Sequence, residues 1–442
     1  MEDLLNLDLV EAARRVASRE VSPVDLVSAS IQKIDRENER LRAFVTILAD
    51  SAMVAAREAE HQIVDGTYRG ILHGIPVAVK DLFAIDGVPM TAGSAVLEGF
   101  IAERDAPVIK QLKDLGAVIV GTTALDEFAF ATVGNGILNP ADEGRSPGGS
   151  SGGSAVAVAS RLCFGALGTD TGGSVRIPAS CCGVVGLKPT IGSIPTVGVV
   201  PLAWSLDHIG ALARSVRDAA AMLGPLTGSG TNVKPREDLA NLRVGVPTNH
   251  YLRVADGHLR QRFDHAMKAL SALGARTTEV DIPDSDVGLN LQYLTVLPES
   301  AAYHFGRHAD GLSRYGKGVR AALQWGATVS ATEYLDAQRV RGTMAARVTR
   351  LLSEVHVLAL PTMPIAPPVI GQEEVVLEDG RREDVVSAML RFTCLFNHTG
   401  HPAISIPVGS LGDSPFGLQL IGGYLSDRSL LEIASACEAV LS

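Results

Sequence analysis

Two kinds of apolar spacing alternate along this chain. Near the N-terminus apolar residues recur every three to four positions. Ser22 before Pro23 has the form of a helix N-cap with proline in the first turn, and "PVDLVSASIQKIDREN" continues the period. Two or three amphipathic helices are therefore expected within residues 1–65. The stretch "GIPVAVKDLF" (74–83) is instead short, β-branched and nearly all apolar, which predicts a strand buried on both faces. A helix over "APVIKQLKDLG" and a strand over "AVIVGTT", ending at 123, come next. Further strands are expected at 162–168, 242–248, 355–362, 402–408 and 416–423, separated by helical stretches such as 258–273 and 428–440. Such alternation argues for an α/β fold whose sheet is covered by helices. Segments 225–240 and 366–385, rich in proline, glycine and charge, predict long surface loops. Strand signals resume after both without a change in composition, so residues 1–442 read as a single domain, with no internal repeat.

Composition narrows the function classes. Apolar residues make up 46% of the 442 and charged residues 20%, the balance of a chain with a sizeable core. Its 39 basic and 49 acidic residues give a net charge of −10 without a basic stripe, which argues against nucleic-acid binding. The start "MEDLLNLDLVEAARRVASRE" mixes charges at helical spacing, unlike a secretory signal, and no run of 18 apolar residues suggests a membrane span. A cytoplasmic protein is the expectation. Cys163, Cys181, Cys182, Cys394 and Cys437 are odd in number and lack CxxC spacing, so they read as buried thiols, with neither a disulfide framework nor a zinc site.

Candidate chemistry lies in two glycine-wrapped serine clusters. In "GTDTGGSVRIPAS" (168–180) the glycines expose Ser174 and allow the amides of Thr171, Gly172, Gly173 and Ser174 to converge as an oxyanion hole. A tight glycine turn with a capping serine is the plainer reading. In "RSPGGSSGGSAVAVAS" (145–160), residues 148–152 fit G-x-S-x-G formally, but no strand signal precedes them. The apolar run that follows predicts a helix carrying Ser150 and Ser151 at its N-terminus. A serine nucleophile needs a base. None of the eleven histidines, His208, His398 and His401 included, sits in a diagnostic context. Lys80 ends a buried strand, where desolvation would favour its neutral, proton-accepting form; the alternative is a lysine that reaches solvent or pairs with an acid.

Lys80 in "VAVKD", then "PGGSSGGSAVAVA" (147–159), then "GTDTGGSVRIPA" (168–179), in this order and with Ser150 and Ser174 twenty-four residues apart, resemble the amidase signature family. The pieces "CGVVGLKPT", "SLDHIGALARSVRDAA", "VLALPTMPIAPPVIG", "GHPAISIPVG" and "FGLQLIG" extend the resemblance over almost the whole chain. The resemblance implies a large α/β/α sandwich with a mixed central sheet and an amidase that uses no metal or cofactor. It also implies a Ser-cisSer-Lys triad. Ser174 would attack the carbonyl, Ser150, after a cis Gly149–Ser150 peptide, would relay the proton, and neutral Lys80 would be the base. Ser151 would orient Lys80 by a hydrogen bond, and Asp170 and Arg176 would be scaffolding. The substrate would be a small carboxylic amide, anilide or carbamate, and a homodimer is the default assembly. Ser160 and Arg161 depart from the small residues many relatives carry, downstream of the triad.

Two other readings compete with this one. The first is the A-type subunit of a tRNA-dependent amidotransferase, which releases ammonia from glutamine for a partner; region 297–350 lacks the tyrosine-rich stretch associated with it. The second is a non-catalytic binding protein on the same scaffold. "GLSRYGKG" (311–318) lacks both the hydroxyl and the preceding strand of a phosphate loop. His304 and His308 lack a companion acid motif and read as ordinary histidines. Residues 125–134 and 297–325 are expected to shape specificity, with Phe128, Phe130, Met90, Tyr303, Trp325 and Phe392 as aromatic or apolar candidates.

Overall fold

The computed structural model describes residues 2–228, 233–234, 236, 239–248, 257–377, 380–409 and 414–441. The strands are β1 (Phe44–Ile47), β2 (Pro76–Lys80), β3 (Val118–Thr123), β4 (Gly165–Asp170), β5 (Val185–Lys188), β6 (His208–Ala213), β7 (Arg243–Pro247), β8 (Arg276–Val280), β9 (Val357–Pro361), β10 (Glu374–Val376), β11 (Arg382–Asp384), β12 (Ala403–Pro407) and β13 (Gly417–Gly422). Eleven of them form one sheet in the order β1-β3-β2-β4-β6-β5-β12-β13-β9-β7-β8. Strand β2 runs parallel to both β3 and β4, whereas β4, β6, β5, β12, β13 and β9 pair antiparallel in succession, so the sheet is mixed.

Successive side chains on a strand point to opposite faces, and here both faces are covered. Val77 and Val79 join one apolar core with helices Leu9–Ala17, Val216–Thr227 and Asp427–Leu441. Ala78, between them, joins the opposite core with helices Pro23–Leu41 and Gly152–Ala159. This two-sided burial explains the unbroken apolar composition of β2. A third apolar cluster packs helix Ala331–Glu354 against β9 and the segment 385–396, and a fourth gathers residues around Phe128, Leu202 and Leu297.

The N-terminal expectation holds in outline: Ser22 Oγ accepts from the amides of Val24 and Asp25, with Pro23 in the first turn. Three helices, Leu9–Ala17, Pro23–Leu41 and Ala49–Val64, fill the segment, joined by edge strand β1, which carries too few alternating residues to stand out. Three corrections concern boundaries. The strand expected at 162–168 lies at Gly165–Asp170, because pairing with β6 runs on to Asp170 opposite His208. The loop expected at 225–240 begins late, since helix Val216–Thr227 contains Pro225; residues 229–232, 235 and 237–238 lie outside the described residues. The loop expected at 366–385 contains the hairpin β10–β11, and residues 378–379 within it lie outside the described residues. Among the described residues no helix is long and apolar enough to cross a membrane.

Candidate active site

Strands β2, β3 and β4 are parallel, so their carboxyl ends open onto the same edge of the sheet, where open α/β sheets place their ligands. Lys80 closes β2, Thr123 closes β3, and Thr169 and Asp170 close β4. The chain then turns through Thr171–Ser174 into helix Arg176–Cys182, while Ser150 and Ser151 precede helix Gly152–Ala159. Two loops that enter helices thus bring both serine clusters to one strand end.

Lys80 has no exposed surface. Its Nζ lies 2.7 Å from Ser150 Oγ and 2.8 Å from Thr169 Oγ1, and among the described residues it forms no ion pair with a carboxylate. Burial pulls the Lys80 amine down to about 7, against the opposing pull of the more distant Asp126, Asp207 and Asp170 charges. Burial thus shifts this amine towards its neutral, proton-accepting form. Thr169 carries no signal in the sequence: it is the penultimate residue of a strand whose composition does not mark its end.

The Gly149–Ser150 peptide is cis. A Cβ on Gly149 would stand 2.0 Å from Asp126 Oδ2, which leaves only glycine room there. Burial raises the Asp126 carboxyl above its ordinary value, although it accepts from the amides of Gly134 and Asn135. Ser151 does not reach Lys80 directly as expected. Its Oγ bonds the Thr169 main chain, accepting from N at 3.3 Å and donating to O at 3.2 Å, so any influence on Lys80 passes through Thr169. The Ser151 amide also donates to Ser174 O at 3.1 Å, tying the two clusters together.

Ser174 is nearly buried, and among the described residues the amides of Thr171, Gly172, Gly173 and Ser174 donate to no protein acceptor. Gly173 has φ +139°, and a Cβ there would meet Thr393 Oγ1 at 2.2 Å. The turn is braced from below. Arg176, with no exposed surface, donates to Asp170 at 2.8 and 3.0 Å, to Gln419 Oε1 at 2.6 Å and to Asn397 Oδ1 at 2.6 Å. Although burial opposes it, the Arg176 charge holds the Asp170 carboxyl well below its usual range. With its donors used inside the protein, Arg176 is a strut. Thr171 Oγ1 donates to Asp207 Oδ1 at 2.6 Å, and burial lifts the Asp207 carboxyl to about 7.

Beside Ser174 lies a cavity of about 60 Å³ lined by Gly172, Phe130, Thr132, Gln292, Leu297 and Leu390, among others. Segment 125–134 thus reaches it through residues 129–132, and segment 297–325 only through Leu297. Of the six candidates Phe130 alone lines it; Phe128, Met90 and Phe392 are core residues, Tyr303 meets His304 edge to face, and Trp325 is exposed. Among the described residues no histidine lines it. His304 is buried among Phe128, Tyr303 and Tyr315 rather than at the surface. Larger surface grooves, about 530 and 450 Å³, flank helix Ala49–Val64 and loop 133–138 without touching Lys80 or either serine. Only the smaller cavity is lined by Ser174 and by Gly172 of the glycine turn.

A mixed sheet sandwiched between helices, with a lysine–serine cluster at its strand ends, defines the molecule as an α/β enzyme. Comparison with known proteins then gives the family. The amidase family profile matches residues 25–431. An amidase of Pseudomonas putida is 38% identical over 99% of this chain and 97% of its own. The A-type subunit of the Carboxydothermus hydrogenoformans glutamyl-tRNA(Gln) amidotransferase is 33% identical with the same coverage. A crystal structure of an amidase superposes with a TM-score of 0.93 at 33% identity, covering 99% of this chain and 100% of that one. The chain belongs to the amidase family, with the amidase-signature fold, and is an amide-hydrolysing enzyme.

Proposed function

We propose that the chain hydrolyses carboxylic amides, or related anilides and carbamates, through an acyl-enzyme on Ser174, with Ser150 as proton relay and Lys80 as base. The observation that carries this reading is the buried Lys80 amine, without a carboxylate partner among the described residues and 2.7 Å from Ser150 Oγ. Ser174 Oγ bonds the carbonyl carbon as its proton passes to Ser150, whose own proton passes to Lys80 Nζ. The amides of Thr171, Gly172, Gly173 and Ser174 hold the resulting oxyanion. Lys80 then returns its proton through Ser150 to the departing nitrogen as the C–N bond breaks. Water repeats the sequence on the ester.

Two relatives suggest different substrates, and the cavity favours the simpler one. Glutamine, the substrate of the amidotransferase reading, brings an α-ammonium and an α-carboxylate, whereas among the described residues no Asp, Glu, Lys or Arg lines the cavity beside Ser174. Burying those charges unpaired would be costly. An amidase acting on an uncharged acyl group is the better match.

The test is Ser174→Ala. Wild-type protein should gain one fluorophosphonate adduct on Ser174 by mass spectrometry, and the variant should lose both the adduct and amide turnover, by at least about 1,000-fold, while keeping its unfolding temperature. Near wild-type hydrolysis by the variant would overturn the assignment.

A further inference from the structure

One residue lining the cavity beside Ser174 carries a polar atom with nothing to bond. Gln292, on helix Gly288–His308, is 4% exposed, and among the described residues its Oε1 has no hydrogen-bond partner. Its orientation is set from the other end of the amide: Nε2 lies 3.4 Å from Thr171 O, the acceptor at the start of the nucleophile turn. A Cβ on Gly172 would come within 2.6 Å of that nitrogen, so the carboxamide packs directly on the turn. A buried acceptor without a donor is costly, and such an atom on a residue that lines a cavity calls for a ligand or an ordered water.

We infer that Gln292 selects the acyl group, accepting a hydrogen bond from an uncharged N–H or O–H that the substrate carries close to its scissile carbonyl. This inference rests on the amidase reading above. Ser150, which that reading makes the donor to the departing nitrogen, does not line this cavity; Gly172 and Gln292 do. The cavity therefore receives the acyl side of the bond. Its volume of about 60 Å³ and its walls of Leu202, Val296, Leu297, Val386 and Leu390 call for a short, largely apolar group. The donor must be uncharged, because an ammonium would be desolvated without a counter-charge. The substrate class is a short-chain amide with a hydroxyl or neutral N–H near the carbonyl.

The experiment compares 2-hydroxypropanamide with 2-methylpropanamide, which replaces the hydroxyl by a methyl of similar size. Wild-type protein should prefer the hydroxy amide by about tenfold or more in kcat/KM. In Gln292→Met, of similar length but without the acceptor, the ratio should fall to about one. In Gln292→Glu, whose protonated carboxyl keeps an acceptor at the same reach and a donor for Thr171 O, the preference should survive, a rescue that a packing role would not give. A ratio unchanged in Gln292→Met, or equal rates in wild type, overturns the inference. If neither amide is turned over but Ser174 still reacts with fluorophosphonate, the two amides are compared as protectants; equal protection again overturns it. Wild-type protein that fails to label at Ser174 removes the amidase mechanism, and this inference with it.

Discussion

Lys80 and Lys188 are both lysines without exposed surface, each at the end of a strand, and burial lowers both amines below the ordinary lysine value. They differ in what they touch. Lys188 Nζ donates to two main-chain carbonyls, Pro189 O at 3.1 Å and His401 O at 2.6 Å. Carbonyls only accept, so Lys188 can do nothing there but give hydrogen bonds. Lys80 faces two hydroxyls, which both donate and accept. A neutral amine beside a hydroxyl has a proton to take. In the proposed mechanism, therefore, burial alone does not mark a base; the hydrogen-bond capacity of the partner does.

Exchanging each lysine for methionine puts this contrast under the largest load. Lys80→Met should lower kcat by at least about 1,000-fold, whereas Lys188→Met should keep turnover within the same order of magnitude per folded molecule. In wild type, kcat/KM should fall about tenfold per pH unit below about 7, as Lys80 gains a proton, and Lys188→Met should retain that limb. Lys80→Met should move stability the opposite way from its effect on rate. Lys80 titrates at about 7 in the folded protein against 10.5 for an ordinary lysine, so between those values the unfolded chain binds more protons and this group makes stability rise with pH. The penalty is fully present below about 7, so Lys80→Met should raise Tm at pH 7 and have little effect near pH 10. Lys188→Met removes a burial penalty too but strands two carbonyls, so its Tm at pH 7 should gain less than that of Lys80→Met. Equal rate losses in the two variants would mean that the partner's hydrogen-bond capacity does not separate the two lysines.

Arg176 and Asp170 form a third buried centre, built to stay charged. Removing one partner from such a pair costs about 3–5 kcal/mol, so Asp170→Asn should lower Tm well beyond the effect of either lysine change. The Asp170 carboxyl is held below its ordinary 3.8, so its contribution is complete above that pH and is lost only in stronger acid. Thermal unfolding of wild type between pH 2 and pH 7, set against Asp170→Asn, reads this directly. An unchanged Tm at pH 7 would show that the strut is dispensable.

Which parts of the molecule are legible in the sequence follows the same physics. Unbroken apolar runs such as 76–80 announce themselves because a strand covered on both faces has no polar side to show. Strand β4, "GALGTD", and strand β6, "HIGALA", are equally buried but half glycine and alanine, and their pairing with each other sets their limits more than their composition does. Lys80, Ser150 and Ser174 stand out through motif order and glycine wrapping. Thr169, Asp126, Asp207 and Gln292 do not, because nothing in their local sequence marks the distant contacts they make: Thr169 meets Lys80 across 89 residues, and Gln292 meets Thr171 across 121.

Thr169 provides the finest test of the difference between the two lysines, because it is the hydroxyl that does not belong to the proposed relay. Thr169→Val keeps the shape and removes one acceptor 2.8 Å from Lys80 Nζ. An acceptor favours the ammonium over the amine, so its loss should move the acid limb of kcat/KM to lower pH. The amine also loses one of the two contacts that aim it at Ser150, and kcat should fall by about tenfold. A lower kcat with an unmoved limb would assign Thr169 to aiming alone. A limb moved to higher pH would mean that Thr169 holds the neutral form by donating its own hydrogen to the lysine lone pair, the one thing the carbonyls around Lys188 cannot do.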